Sequence, residues 1–284
     1  MYRNVRIVGN GEQTVVLSHG YGGSQSVWDK VVPHLSQKYQ VLLFDWNFSG
    51  ATDDSGKALE PSNYSSFTAF TDGLISLIEH MNLAGVIFIG HSMSGMIGCV
   101  ASVKRPDLFT HLVLIGASPR YLNSEDYEGG FERMEVEKMF TDIESNFQSW
   151  AQSFVPLAIG VDDPISIEKF KGSFLQMRPD IALSAARLIL LSDLRDVLEK
   201  VEVRCTIIQG TNDFLVPTSV AHYMQHKMKG KAMVETIGCD GHFPQLTAHQ
   251  MLIEVLDRVL AAMELLKDSK VSNEESRVNS GVLG

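Results

Sequence analysis

The chain has 284 residues, long enough for one large α/β domain or two small ones, and its 44% hydrophobic and 20% charged content suits a globular core that needs no staples. A formal net charge of −10 argues against nucleic acid as a partner, because phosphate contacts need a basic surface. Cys99, Cys205 and Cys239 stand far apart without a C-x-x-C, which argues against a disulfide framework or a zinc site, and no run of about 18 apolar residues offers a membrane span. Met1 to Gly9 lack an apolar signal-peptide region, so the expected compartments are reducing ones, cytoplasmic and nuclear.

Residues 2–8 alternate as an edge strand, and Gly9-Asn10-Gly11 signals a turn. A second strand, 14–17, ends in the glycine-rich Ser18-His19-Gly20-Tyr21-Gly22-Gly23. Residues 28–35 look helical and 40–44 form a strand closing on Asp45; 53–66 read as a loop. Phe70, Leu74, Leu77, Ile78 and Met81 recur at helical spacing over 67–81. The apolar strand from Val86 then meets Gly90-His91-Ser92-Met93-Ser94-Gly95, followed by a helix to about Lys104 and a strand over 111–115. Strand and helix alternate this far, which predicts a mostly parallel sheet with helices on both faces.

The alternation breaks over 124–198, where four helical patterns fall at roughly 132–145, 147–157, 165–176 and 180–192. This predicts a four-helix cap lying over the carboxyl ends of the strands, where α/β sites lie. Strands resume at 204–209 and 232–237, and a helix runs from Ala248 to about Lys267. The expected division is a core of 1–123 and 199–267, a cap of 124–198, and a disordered tail of 268–284, which is polar and lacks aromatics.

The strand–Gly-x-Ser–helix run is a nucleophile elbow, in which a sharp turn lifts one hydroxyl above the sheet. Ser94 stands where a glycine is usual. Acyl transfer needs a nucleophile, a base and an acid that orients the base. In α/β-hydrolases these follow in the order Ser, Asp or Glu, His. Ser92, Asp213 after a strand, and His242 in Asp240-Gly241-His242 fit that order. Ser92 would attack, His242 would shuttle the proton, and Asp213 would hold His242. The backbone N–H groups of Met93 and Tyr21 would form the oxyanion hole.

Blander roles compete. Ser92 could cap a helix, and Asp213 could form a turn with Asn212. Asp240 is a rival acid, but it lies only two residues from His242. His19 is a rival base, more at home as a structural residue of its glycine loop, and His91 is expected to pack. Asp162-Asp163 lacks a third metal ligand at a useful spacing. No cofactor or metal is called for. Under the cap, Tyr21, Phe131, Met139, Trp150, Phe154, Leu157, Leu190 and Leu215 are the expected lining of a deep apolar pocket suited to a small ester or lactone; each could equally belong to the cap's own core.

Several runs resemble the plant strigolactone and karrikin receptors, the DWARF14 and KARRIKIN INSENSITIVE 2 families, and most closely a karrikin-receptor-like paralogue. They are Gly90-His91-Ser92-Met93-Ser94-Gly95-Met96-Ile97-Gly98, His19-Gly20-Tyr21-Gly22, Gln25-Ser26-Val27-Trp28, Ser118-Pro119-Arg120-Tyr121, Asp126-Tyr127-Glu128-Gly129-Gly130-Phe131-Glu132, Pro156-Leu157-Ala158, Met177-Arg178-Pro179-Asp180-Ile181-Ala182-Leu183-Ser184 and Asp240-Gly241-His242-Phe243-Pro244-Gln245-Leu246. The cap runs are the specific ones, since generic α/β-hydrolases lack them. The resemblance implies an α/β-hydrolase fold and a slow serine hydrolase acting as a receptor for an apolar butenolide. It implies recruitment of an F-box protein of a ubiquitin ligase and of transcriptional repressors, with no membrane partner and a monomeric chain. It carries the triad to Ser92, Asp213 and His242, and the pocket to Tyr21, Tyr121, Phe131, Trp150 and Phe154. Gly95, Met93, Leu190 and the segment 45–55 depart from the usual family pattern and bear on ligand preference. An ordinary carboxylesterase or lactonase without a receptor role is the main alternative, and a binding module with a vestigial triad is a third.

Overall fold

The computed structural model describes residues 1–48 and 60–280, with side chains described up to residue 265. The strands are β1 (Tyr2–Val8), β2 (Thr14–Ser18), β3 (Gln40–Trp46), β4 (Val86–His91), β5 (Phe109–Ile115), β6 (Arg204–Asn212) and β7 (Ala232–Asp240). The helices are α1 (Val32–Leu35), α2 (Phe67–His80), α3 (Met93–Lys104), α4 (Arg133–Ile159), α5 (Pro164–Phe174), α6 (Pro179–Leu191), α7 (Arg195–Leu198), α8 (Thr218–Lys227), α9 (Pro244–Thr247) and α10 (His249–Ser280). Short 3₁₀ turns at Gln25–Trp28 and Pro61–Tyr64 replace part of the helix expected over 28–35 and close the described end of the loop expected over 53–66. The rest of that loop, 53–59, lies outside the described residues.

The sheet runs β1-β3-β2-β4-β5-β6-β7, and every pairing is parallel except β1 with β3. β2 and β4 are buried at every position and read as continuous apolar runs, as strands covered on both faces must. β6 and β7 run about three residues beyond their expected ends, because Asn212 pairs with Asp240 past a register shift. Ser92, Asp213 and His242 therefore leave the sheet at one edge, the carboxyl end of the parallel strands.

The cap lies between β5 and β6. Its long helix α4 is broken at Asn146 (φ −159°, ψ 89°), so it is two rods that meet where the sequence pattern switches. α4 packs on α5 and α6, and Phe140, Phe147, Phe170 and Phe174 fill the space between them. The expected disordered tail is corrected in part. The backbone of α10 continues helical to Ser280, because no glycine or proline interrupts the chain between His249 and Gly281.

Candidate active site

Ser92 sits at φ 55°, ψ −123°, a strained turn for a non-glycine residue. The turn is held by the Ser92 N–H, which donates to the Ile115 carbonyl at 2.7 Å, and by the Gly95 N–H, which donates to the Ser92 carbonyl at 2.9 Å. A Cβ on Gly90 would lie 2.7 Å from the backbone carbon of Ser94, so glycine is required there. Ser92 precedes α3 but its hydroxyl makes no capping bond, which removes the helix-cap reading. Met93 supplies the first amide of α3, a donor with no partner inside the helix.

His242 is buried, and its Nδ1 lies 2.7 Å from Asp213 Oδ2. A carboxylate accepts, so Nδ1 carries the proton and Nε2 keeps its lone pair. That Nε2 is buried without a hydrogen-bond partner among the described residues, and the ring shares a cavity wall with Ser92. Asp213 Oδ1 accepts from the Leu215 and Val216 N–H groups at 2.8 and 3.3 Å, and Oδ2 also takes the Gln209 Nε2–H at 3.2 Å. Asp213 thus has the acceptor bonds of an oriented carboxylate.

The rivals are occupied elsewhere. Asp240 Oδ1 accepts from Asn212 Nδ2 at 2.7 Å. His19 is buried between the Gly20 carbonyl at Nδ1 (2.8 Å) and the Trp46 N–H at Nε2 (2.9 Å), and burial lowers its basicity. Asp163 caps α5, and among the described residues no group of three His, Cys, Asp or Glu is placed to hold a metal ion. Nor is any described helix long and apolar enough to cross a membrane.

A narrow apolar cavity opens on Ser92 and His242, with about 60 Å³ open to the centre of a water molecule. Tyr21, Tyr121, Met139, Trp150, Phe154, Leu190 and Leu215 line it. Trp150 and Phe154 stack at 4.7 Å. Tyr121 lines the cavity with Ser92, and burial pushes its phenol pKa upward. Tyr21 donates to the Ala182 carbonyl at 2.8 Å, tying its loop to α6.

Two expected lining residues are corrected. Leu157 is 53% exposed, because it is rotated away from the buried Ala151–Val155 face of α4 and is too short to reach back as Trp150 does. Phe131 is buried outside the cavity lining. It packs edge-on against Phe214 at 5.8 Å, and its bridge to Leu122 fixes it under the cap's root.

Sequence patterns do not single out Gln209, nor the lining residues Phe170, Ala186, Ile189 and Phe243. His91, expected only to pack, does more. It is buried, and its Nε2–H donates to the His242 carbonyl at 2.8 Å. Burial, with His242 beside it, holds His91 well below the usual imidazole range. His91 also lines the cavity beside Ser92.

A family model for the alpha/beta hydrolase fold matches residues 13–248. The chain is 44% identical over 256 residues to Karrikin insensitive 2 receptor CA from Petunia hybrida, covering 90% of this chain and 94% of that one. It is 41% identical over 257 residues to Strigolactone esterase D14 from Arabidopsis thaliana, covering 90% and 96%. Among solved structures, a hydrolase from Oleispira antarctica, olei00960, superposes with a TM-score of 0.86 at 30% identity, covering 91% of this chain and 94% of that one.

Proposed function

We propose a function from one premise: the chain belongs to the alpha/beta hydrolase family, in the branch that holds the karrikin insensitive 2 receptors and the strigolactone esterases. The protein is a receptor for an apolar butenolide that it opens slowly by serine hydrolysis. One observation carries the chemistry. His242 presents an unpartnered Nε2 to the cavity that holds Ser92, while its Nδ1–H is fixed on Asp213.

Ser92 Oγ attacks the ligand's carbonyl carbon as His242 Nε2 takes the hydroxyl proton. The tetrahedral oxyanion is held by the N–H groups of Met93 and Tyr21, and Asp213 stabilises the imidazolium. Collapse breaks the bond to the leaving oxygen, which receives the proton from His242 and leaves an acyl group on Ser92. Water, deprotonated by His242, then frees the serine. Apolar walls and few polar anchors suit a small lactone and disfavour a peptide or a sugar polymer.

The receptor half of the reading rests on family membership. The liganded monomer recruits an F-box protein of a ubiquitin ligase and transcriptional repressors, in the cytoplasm and nucleus. Intact mass of the denatured protein after incubation with a synthetic strigolactone analogue tests the reading. A ligand-fragment adduct on wild type and none on Ser92→Ala is the expected result. Rapid consumption without an adduct would instead mark an ordinary esterase or lactonase. Failure of several butenolides to drive capture of an F-box partner would sink the receptor half.

A further inference from the structure

The backbone of His242 is held by the cap. Its N–H donates to the Ala158 carbonyl at 2.8 Å, in the last turn of α4. Beside that bond two glycines meet. A Cβ on Gly160, at φ +74°, would stand 2.4 Å from Gly241 Cα, and one on Gly241, at φ +82°, would stand 1.9 Å from the Ile159 carbonyl oxygen. Both positions combine a left-handed backbone with a contact too close for any side chain. On the far side, the His242 carbonyl takes the His91 Nε2–H, so the residue is gripped between the elbow and the cap.

The same stretch of α4 carries Trp150 and Phe154, which line the cavity one to two turns before Ala158. It begins at the break at Asn146, whose Oδ1 accepts the Ser149 N–H at 2.9 Å and so caps a new helix. It ends at Gly160, in the left-handed conformation that stops helices. Residues 147–159 therefore form a separate rod. Its first two turns line the cavity, its last turn, which contains Pro156, holds the histidine, and each end has a backbone joint.

We propose that this rod is a lever that places the His242 imidazole against Ser92 according to what fills the cavity, with Gly160 and Gly241 as its positioning residues. A helical rod moves as a unit, and a misplacement of about 1 Å at a reacting group costs on the order of a hundredfold in rate. The inference rests on reading Ser92, Asp213 and His242 as a triad.

The test uses the full chain with p-nitrophenyl acetate as substrate, rates being normalised to folded protein by circular dichroism. It also follows the low-field imidazole Nδ1–H proton resonance of the His242–Asp213 pair, assigned by its loss in Asp213→Ala. Gly160→Ala is expected to lower kcat at least about tenfold, to leave KM within about twofold, and to move the resonance. A folded Gly160→Ala with an unmoved resonance and kcat within about twofold of wild type overturns the lever. Should Gly160→Ala not fold, Asn146→Ala decides, because Asn146 is exposed and its loss removes the cap that breaks α4. A moved resonance with a kcat at least about threefold lower supports the lever; an unmoved resonance overturns it. A wild type that cleaves no ester would fail the triad reading alone, since the resonance reports the lever without turnover.

Discussion

Gln209 Nε2 stands 3.2 Å from Asp213 Oδ2, the same oxygen that faces His242 Nδ1. The amide is almost wholly buried and also donates to the Val216 carbonyl at 2.9 Å, so it fixes the carboxylate relative to its own loop. Gln209→Leu removes the side-chain donor to Asp213 Oδ2 and leaves only the backbone donors on Oδ1 to fix the carboxylate. A hydrogen bond to a charged group contributes about 1.5–3 kcal/mol, so ester turnover is expected to fall about tenfold or more with little change in KM. Steady-state kinetics on p-nitrophenyl acetate checks this, and an unchanged kcat would show that the backbone donors of Leu215 and Val216 suffice.

Ser94, the residue in place of the usual elbow glycine, is the hub of a buried network. Its Oγ donates to the His19 carbonyl at 2.5 Å and accepts from Trp46 Nε1 and Ser18 Oγ, both at 2.9 Å. Ser94→Ala strands the Trp46 N–H in the core. The expected cost is about 1–3 kcal/mol, and calorimetry would read it as a lower Tm, at about 2–4 °C per kcal/mol. Thermal stability equal to wild type would mean that a neighbouring group takes over the Trp46 donor.

The corrected lining makes a paired prediction. Phe154→Ala removes a cavity wall and is expected to raise KM for a butenolide about tenfold, whereas Leu157→Ala, on the exposed face, is expected to leave KM within about twofold. Parallel titrations of the two variants decide it. Equal effects would place Leu157 on the ligand path.

His111 bonds Thr206 Oγ1 at 2.9 Å, and burial, with Arg204 nearby, pushes its imidazole down to about 4 from an ordinary 6.5. Burial lowers His19 and His91 as well. In the unfolded chain these rings take protons below pH 6.5 that the native rings refuse, so stability is complete above that pH and is lost as the pH falls toward 4. His111 alone accounts for a loss on the order of 3 kcal/mol by about pH 4. The urea midpoint should therefore be lower at about pH 5 than at about pH 7. A midpoint that held or rose would show that acidic groups dominate the titration.

Ser92, Asp213 and His242 can be picked out of the sequence because each follows a strand end. Chain order and the strand–turn–helix pattern are local signals, and local signals survive in a linear reading. Gln209 and His91 are legible only in three dimensions: Gln209 lies four residues before Asp213 but no pattern marks its amide as a donor to that carboxylate, and His91 acts on a carbonyl far along the chain. The sheet and cap are legible from the change of period at 124–198. Leu157 escapes a linear reading because its apolar character says nothing about the helical phase that turns it outward. Phe131 escapes it because an aromatic under a cap can pack on the loop of Asp213 as readily as on a ligand. The tail escapes it because low hydrophobicity argues against a packed core, not against a lone helix that nothing interrupts.

The insertion of the cap between β5 and β6 fixes the order in which the machinery is made. A ribosome delivers Ser92, the glycine loop and the whole of α4 to α7 before it reaches Asp213 or His242. Domains generally fold as units, and synthesis runs at about 5–20 residues per second. The sheet that positions Ser92 therefore cannot be completed until β6 and β7, which lead to Asp213 and His242, have been made. The bond from His242 to Ala158 joins a segment made late to a helix made well before it.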